Sequence, residues 1–320
     1  MMDIKQIIKE IGRGKLHARH LDEQTATALY RAMLNDEVDD LSLGAILIAL
    51  RIKGEGEEEL LGFYRGLEDF LPQWPALSNT IIIPSYNGAR RQANMTPLLA
   101  LLLHKFGVNV FLHGVHNDPT RVTSAQILAA MNIKPARDIT ESHRQILETG
   151  FSFMTIDTLC PPLAKQLDLR WHLGLRNSAH TLAKLISPFV AQAGVRLTSV
   201  SHPEYLPKVT QFFSDIGAKA LVSNGCEGEV YLNPQRPSAM HYVDNDGSDI
   251  SEIVARGTAA KTPLAANKEI ATTLAWTQAV LTKQCPIPLP LREQIISCLV
   301  VCGRFASPTE ADSWLVEQGY

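Results

Sequence analysis

Residues Ile81–Thr96 read IIIPSYNGARRQANMT, and this stretch sets how the whole chain is interpreted. Ile81–Ile83 is an apolar, β-branched run that predicts a strand entering a parallel sheet. A turn containing Gly88 follows, and the apolar run Leu98–Phe106 predicts a helix. Strand, small-residue turn and helix form the arrangement in which α/β proteins hold anions, because a helix N-terminus presents N–H groups with no intrahelical partner. A phosphate cradle wants several glycines so that backbone can approach the anion. Here only Gly88 remains, while Arg90 and Arg91 are added and can hold phosphate as side-chain charges instead. The competing reading is an exposed basic turn. The spacing fits neither the Walker nor the Rossmann pattern.

Working outward, the residues before this loop are all helical in pattern: Asp3–Ile11, a helix capped by Asp22 and running to about Asn35, Leu41–Ile52 stopped by Gly54, and Glu57–Phe70 with its acidic first turn. Leu41–Ile52 (LSLGAILIALRI) is apolar enough to predict a buried helix. Leu71–Ser78, with Pro72 and Pro75, reads as a linker. Beyond it, Ile81–Ile83, Val108–His113, Phe151–Ile156, Arg196–Ser201 and Lys219–Ser223 are short β-prone runs, mostly separated by helical segments. That alternation predicts an α/β fold with a central, mostly parallel sheet. Tyr242–Val243 adds a late strand before a turn at Asp244–Gly247, and three helices close the chain: Ile270–Leu281, Leu291–Cys302 and Thr309–Gln318. Between Pro162 and Pro188 the helical pattern is too long for one crossover, with Gly174 separating two helices and Asn177 or Ser178 capping the second. The expected organisation is a small discontinuous helical domain, 1–75 completed by about 162–190, and a large α/β domain, 76–320.

The formal charge of −3 argues against a simple basic nucleic-acid binder, but charge is segregated along the chain. Leu34–Pro72 has a net charge of −7, whereas Cys160–Val200 carries +4. The five cysteines are scattered without CxxC spacing, which argues against a disulfide framework or a zinc site. The beginning MMDIKQIIKE lacks an apolar signal region, and no apolar run nears the roughly 18 residues of a membrane span. The expectation is a cytoplasmic protein with no membrane contact.

Four further features invite a chemical reading. In Asn224–Tyr231, NGCEGEVY, the acids Glu227 and Glu229 can hold Mg²⁺ with water, although a solvated acidic turn is the favoured reading. Around Gly174 lie Lys165, Arg170, His172, Arg176, His180 and Lys184, with Trp171 among them. They can form a phosphate-tracking surface with one aromatic, or an ordinary solvated helix face with the tryptophan in the core. His113, in FLHG at a strand end, stands near the expected ligand edge of the sheet, although a lone histidine is usually structural. Cys160 reads as a packing residue, since no activating partner accompanies it.

The order of these motifs resembles that of the anthranilate phosphoribosyltransferases along the whole chain. RIKGEGEEELLGF, Arg51–Phe63, is similar to that family's KGET helix junction, Arg170–Arg176 (RWHLGLR) matches RxxLGxR, and Pro203–Glu204 matches its PE. The resemblance implies a helical domain on an α/β domain and dimerisation through the helical domain. The departures fall on the family's site. Its GTGGD phosphate loop is here Ser85, Tyr86, Asn87, Gly88 and Ala89; its KHGN loop keeps His113 and Gly114 between Leu112 and Val115; and its magnesium-holding Asp–Glu pair aligns with Val230 and Tyr231. Asn94 and Thr96 complete the degenerate loop.

The substituted pattern itself is similar to a group of paralogues, the YbiB-type proteins, through SYNGARRQAN, DPTR, RNSAHTLAKL, SVSHPEY and NGCEGEVYLNPQR. That resemblance implies a non-catalytic, largely sequence-independent nucleic-acid-binding homodimer that contacts the phosphate backbone and needs no cofactor. Arg90, Arg91 and Arg121 would join the Gly174 cluster in the contact surface. The alternative is a phosphoribosyltransferase using phosphoribosyl pyrophosphate, with Mg²⁺ held by Glu227 and Glu229. A third possibility is a protein-binding scaffold using the acidic Leu34–Pro72 segment.

Overall fold

The computed structural model describes residues 3–14, 16–245, 250–257 and 262–320. In chain order the helices are α1 Ile4–Ile11, α2 Glu23–Leu34, α3 Asp40–Lys53, α4 Glu57–Glu68, α5 Thr96–Lys105, α6 Ser124–Ala130, α7 Ile139–Thr149, α8 Ile156–Leu159, α9 Pro161–Leu173, α10 Ala179–Leu182, α11 Leu206–Asp215, α12 Ile270–Leu281, α13 Leu289–Val301 and α14 Pro308–Glu317. The strands are β1 Thr80–Ser85, β2 Asn109–Gly114, β3 Phe151–Thr155, β4 Val195–Ser199, β5 Ala220–Ser223, β6 Met240–Val243 and β7 Ile250–Val254. The chain packs as two compact units, Met1–Pro72 with Leu159–Pro188, and Gln73–Thr158 with Phe189–Tyr320.

Local chemistry sets the helix ends in the helical unit. Asp3, Asp22 and Asp39 each accept a hydrogen bond from a first-turn N–H, those of Gln6, Thr25 and Ser42 at 3.0, 2.7 and 3.0 Å. Pro161 and Pro162 open α9, where a missing N–H costs nothing, and Gly174 closes it in the left-handed region at φ +69°. One expectation fails here. α3 buries Ile46, Leu47 and Leu50, but Leu41 is 85% exposed and Ile52 58% exposed. A helix apolar all round is expected to be covered all round, and this one is covered on one side within its own chain.

In the second unit the sheet order among the described residues is β3-β2-β1-β4-β5-β6-β7, parallel from β3 through β5 and antiparallel at β6 and β7. β1 lies in the interior and is buried along its whole length, as a strand covered on both faces requires. Leu98, Leu99, Leu102 and Leu103 of α5 pack in one core cluster with Ile81, Ile83, Val110 and Leu112 from the sheet and with Leu291, Ile295 and Leu299 of α13. β7 was not anticipated from the sequence. The turn expected at Asp244–Gly247 extends outside the described residues. Trp74, in the expected linker, is buried and stacks on His143 at 4.8 Å. Among the described residues no helix is long and apolar enough to cross a membrane.

Candidate functional site

The strand order places the loop after β1 where the sheet's connections reverse direction, with β2 on one side of β1 and β4 on the other. That is where open α/β sheets gather ligands. The loop after β5 lies two strands away and closes over it. Glu229 in that second loop is 1% exposed. Its Oε1 accepts hydrogen bonds from the N–H groups of Asn87 (2.8 Å) and Gly88 (2.7 Å), and its Oε2 accepts from the hydroxyls of Ser85 (2.6 Å) and Thr96 (2.7 Å). The Ala89 N–H pairs with the Val122 carbonyl at 2.8 Å, and Glu227 takes the two N–H groups after it, those of Arg90 (2.5 Å) and Arg91 (3.0 Å). The two carboxylates thus stand where an anion would be cradled.

The supporting contacts fix this arrangement. Asn87 Nδ2 donates to the Glu227 carbonyl at 3.0 Å and fills the space of a side chain at Gly228, where a Cβ would lie 1.5 Å from it and φ is +90°. Gly88 has φ +67°, and a Cβ there would meet the Val122 carbonyl oxygen at 2.7 Å. Asn94 Oδ1 accepts from the Thr96 N–H at 3.0 Å, and its Nδ2 donates to Ser124 Oγ at 3.2 Å. Gly114 has no room for a Cβ, which would lie 2.0 Å from the Ser85 carbonyl oxygen.

Several sequence expectations change as a result. Glu229 is neither a magnesium ligand nor a solvated turn residue. Arg121 is a brace, its Nη1 donating to the carbonyls of Gly88 (3.2 Å) and Glu227 (3.3 Å). Arg90 and Arg91 have exposed side chains. Tyr86 is buried, its hydroxyl 2.6 Å from His113 Nδ1. Burial, with a contribution from Arg196, drives the His113 pKa down to about 3, so the ring is neutral. Cys160 is fully buried and its thiol is pushed up to about 11 by burial, which suits packing and not attack.

In the helical unit the predicted basic cluster divides. His180 is 7% exposed, and burial, followed by the charges of Arg176 and Arg170, lowers its pKa to about 3. It is a neutral structural ring, hydrogen-bonded through Nδ1 to Asn177. Lys165 is exposed but ion-paired with Asp36 at 2.6 Å. The charges of Arg170, Arg176 and Lys184 are each felt by the His180 ring. His172 is exposed. Trp171 is not in the core: it is 48% exposed, and the Arg170 guanidinium lies 4.0 Å from its ring centroid. The turn is anchored by Ser178 Oγ donating to Glu55 Oε1 at 2.5 Å and by Asn177 Nδ2 donating to the Gln166 carbonyl at 2.7 Å.

Residues 5–70 match the family model described as the glycosyl transferase family, helical bundle domain. The YbiB protein of Escherichia coli (strain K12) is 50% identical over 309 residues, 96% of each chain. The chain belongs to the YbiB family. Its fold is that of the anthranilate phosphoribosyltransferases: the enzyme from Thermus thermophilus superposes with a TM-score of 0.75 at 23% identity, covering 97% of this chain and 92% of that one. A Saccharomyces cerevisiae anthranilate phosphoribosyltransferase in complex with PRPP and Mg superposes at 0.70 with 11% identity, covering 96% and 91%.

The residues of this YbiB-family chain do not fit such a metal. Val230 and Tyr231, which the sequence resemblance sets against the Asp–Glu pair of the anthranilate phosphoribosyltransferases, are both buried in the apolar core cluster, and the Tyr231 hydroxyl donates to the Ala93 carbonyl at 3.1 Å. The carboxylates of Glu227 and Glu229 face N–H and O–H donors, whereas Mg²⁺ needs a shell of oxygen acceptors. The role of Glu229 was missed in the sequence. Its one signal was an acid between small residues after a strand, and only the strand order shows which loop it meets.

Proposed function

We propose that this protein is a non-catalytic nucleic-acid-binding homodimer that reads the phosphate backbone with little sequence preference. The observation that carries this reading is the exposed Trp171 with the Arg170 guanidinium over its ring, on a stretch of chain that also bears the partly exposed Arg176 and Lys184. An aromatic face beside cations is the combination that holds single-stranded nucleic acid, through base stacking and phosphate neutralisation. The carboxylate-filled loop supports the absence of phosphoribosyl transfer, which relies on electrostatic stabilisation of its leaving group. The second copy is expected on the half-covered face of α3, which forms with α1 a groove of about 580 Å³ lined by Ile8, Ile11, Leu41, Ala45, Ile48 and Ile52. Exposed Asp40 and Arg51 lie at opposite ends of one edge of α3, so antiparallel pairing about a two-fold axis brings Asp40 of each copy towards Arg51 of the other.

Anisotropy of a labelled single-stranded oligonucleotide at several salt concentrations tests the proposal. A surface neutralising six or more phosphates loses roughly three decades of affinity between about 50 and 200 mM salt. W171A is expected to weaken binding by about 1–3 kcal/mol per stacked base and leave the salt slope unchanged. R170A/R176A is expected to lower that slope by about 1.4, or 0.7 per lost contact. Absence of binding at low salt removes the proposal. Wild-type affinity in R170A/R176A removes this surface.

A further inference from the structure

The loop Ser85–Thr96 is not a ruined phosphate site. Its donor set is complete: the Asn87 and Gly88 N–H groups on one side and the Ser85 and Thr96 hydroxyls on the other converge on a single carboxylate at 2.6–2.8 Å. Thr96 is also the first residue of α5, so this anion lies at a helix N-terminus, where negative charge is favoured. Four donors, two of them backbone, at a helix start constitute the chemistry that recognises an oxyanion. We propose that Glu229 is a built-in ligand of a working oxyanion site: its carboxylate replaces a bound phosphate, orders the loop and excludes any external anion, and its removal re-opens the site to inorganic phosphate.

Three observations favour an internal ligand over incidental contact. Glu229 is 1% exposed, and a carboxylate is not buried so fully unless its charge is compensated. The second carboxylate, Glu227, takes two further N–H groups in the same loop, so one short segment supplies anions to four backbone donors, Asn87, Gly88, Arg90 and Arg91. Gly228 and Asn87 interlock between the two acids with no space for a side chain at 228, which holds both carboxylates in register with the loop. The inference does not rest on nucleic-acid binding, whose surface lies in the helical unit.

The test follows the Gly88 amide by ¹H–¹⁵N NMR in the full chain while inorganic phosphate is added. In the wild-type protein Gly88 is expected to stay in place up to about 50 mM phosphate, because its acceptor is internal. In E229A it is expected to shift saturably, and phosphate at ten times its Kd raises the ratio of folded to unfolded chain about 11-fold. S85A/E229A is expected to bind more weakly than E229A. If E229A is unfolded without ligand, phosphate-dependent refolding reads the same site. Movement of Gly88 in the wild type, a folded E229A that ignores phosphate, or an unfolded E229A that phosphate does not refold would each overturn the proposal. Oligonucleotide binding by folded or refolded E229A distinguishes failure here from failure of the nucleic-acid reading.

Discussion

The buried carboxylates Glu59 and Glu229 are each matched group by group. Glu59 shows it best in the helical unit. The residue is fully buried; its Oε1 accepts from the Leu21 N–H at 2.9 Å, and its Oε2 accepts from the Gly56 N–H at 2.7 Å and from Lys53 Nζ at 2.5 Å. Burial alone would raise its pKa, but the Gly56 N–H, Lys53 and the Leu21 N–H together outweigh it and hold the carboxyl below the ordinary value of 4.5. The Lys53 side chain is itself only 4% exposed. E59A therefore strands a buried ammonium and two N–H groups, and the expected loss is about 3–5 kcal/mol, read as a lower urea midpoint. K53M leaves the two N–H groups paired to Glu59 and is expected to cost less. The contribution of Glu59 is present above pH 4.5 and is lost as pH falls through its depressed folded value. The KGEGE motif was legible as a helix junction; that the acid four residues after its last glycine-flanked glutamate, Glu59, is the centre of the junction was not.

Among the elements, α3 departs furthest from what its sequence implies. Its composition is that of a core helix, yet its own chain covers Ile46, Leu47 and Leu50 and leaves Leu41 and Ile52 to solvent. An apolar stripe of this kind, beside the groove with α1, is expected to be covered by a second copy. L41E/I52E changes two positions that are 85% and 58% exposed in the single chain, so the helical far-UV spectrum is expected to persist. Sedimentation is expected to show a dimer for the wild-type protein and a monomer for the variant. A variant that sediments as a dimer places the interface elsewhere. The turn after α9 gives the opposite lesson. RNSAH looked like charge and caps on a solvated face, but Asn177, Ser178 and His180 face inward and fasten the turn, while Trp171 and His172 are exposed and Arg170 is half-buried.

Across the whole molecule, each of the two units carries one neutral buried histidine, His180 in the helical unit and His113 in the α/β unit, and burial lowers both to about 3. The sign follows from linkage. Unfolding returns each ring to an ordinary value near 6.5, so below that pH the unfolded chain takes up a proton that the folded chain refuses. Stability from both rings is complete above pH 6.5 and falls as pH drops from 6.5 towards 3, by up to about 1.4 kcal/mol per pH unit for each histidine. Urea unfolding between pH 7.5 and 4.5 is expected to show this decline in both units, and H180Q is expected to flatten it in the helical unit alone. A pH-independent midpoint in that range would show that neither ring is buried neutral.

The sequence by itself determined the element order, the helix caps and the alternation of strand and helix, because these depend on residues within a few positions of one another. It also carried the family, through motifs that are contiguous in the chain. Tertiary structure alone decided what the motifs do. Glu229 is 144 residues from Ser85, and only the order β2-β1-β4-β5 brings the β5 exit loop over the β1 exit loop so that an acid meets the N–H groups waiting there. The same holds for His180 against Trp171: nine residues apart on one basic stretch, one is interior and the other half exposed. Hydrogen bonding and burial act between neighbours in space, and for residues so placed the sequence specifies the chemical group but not its surroundings.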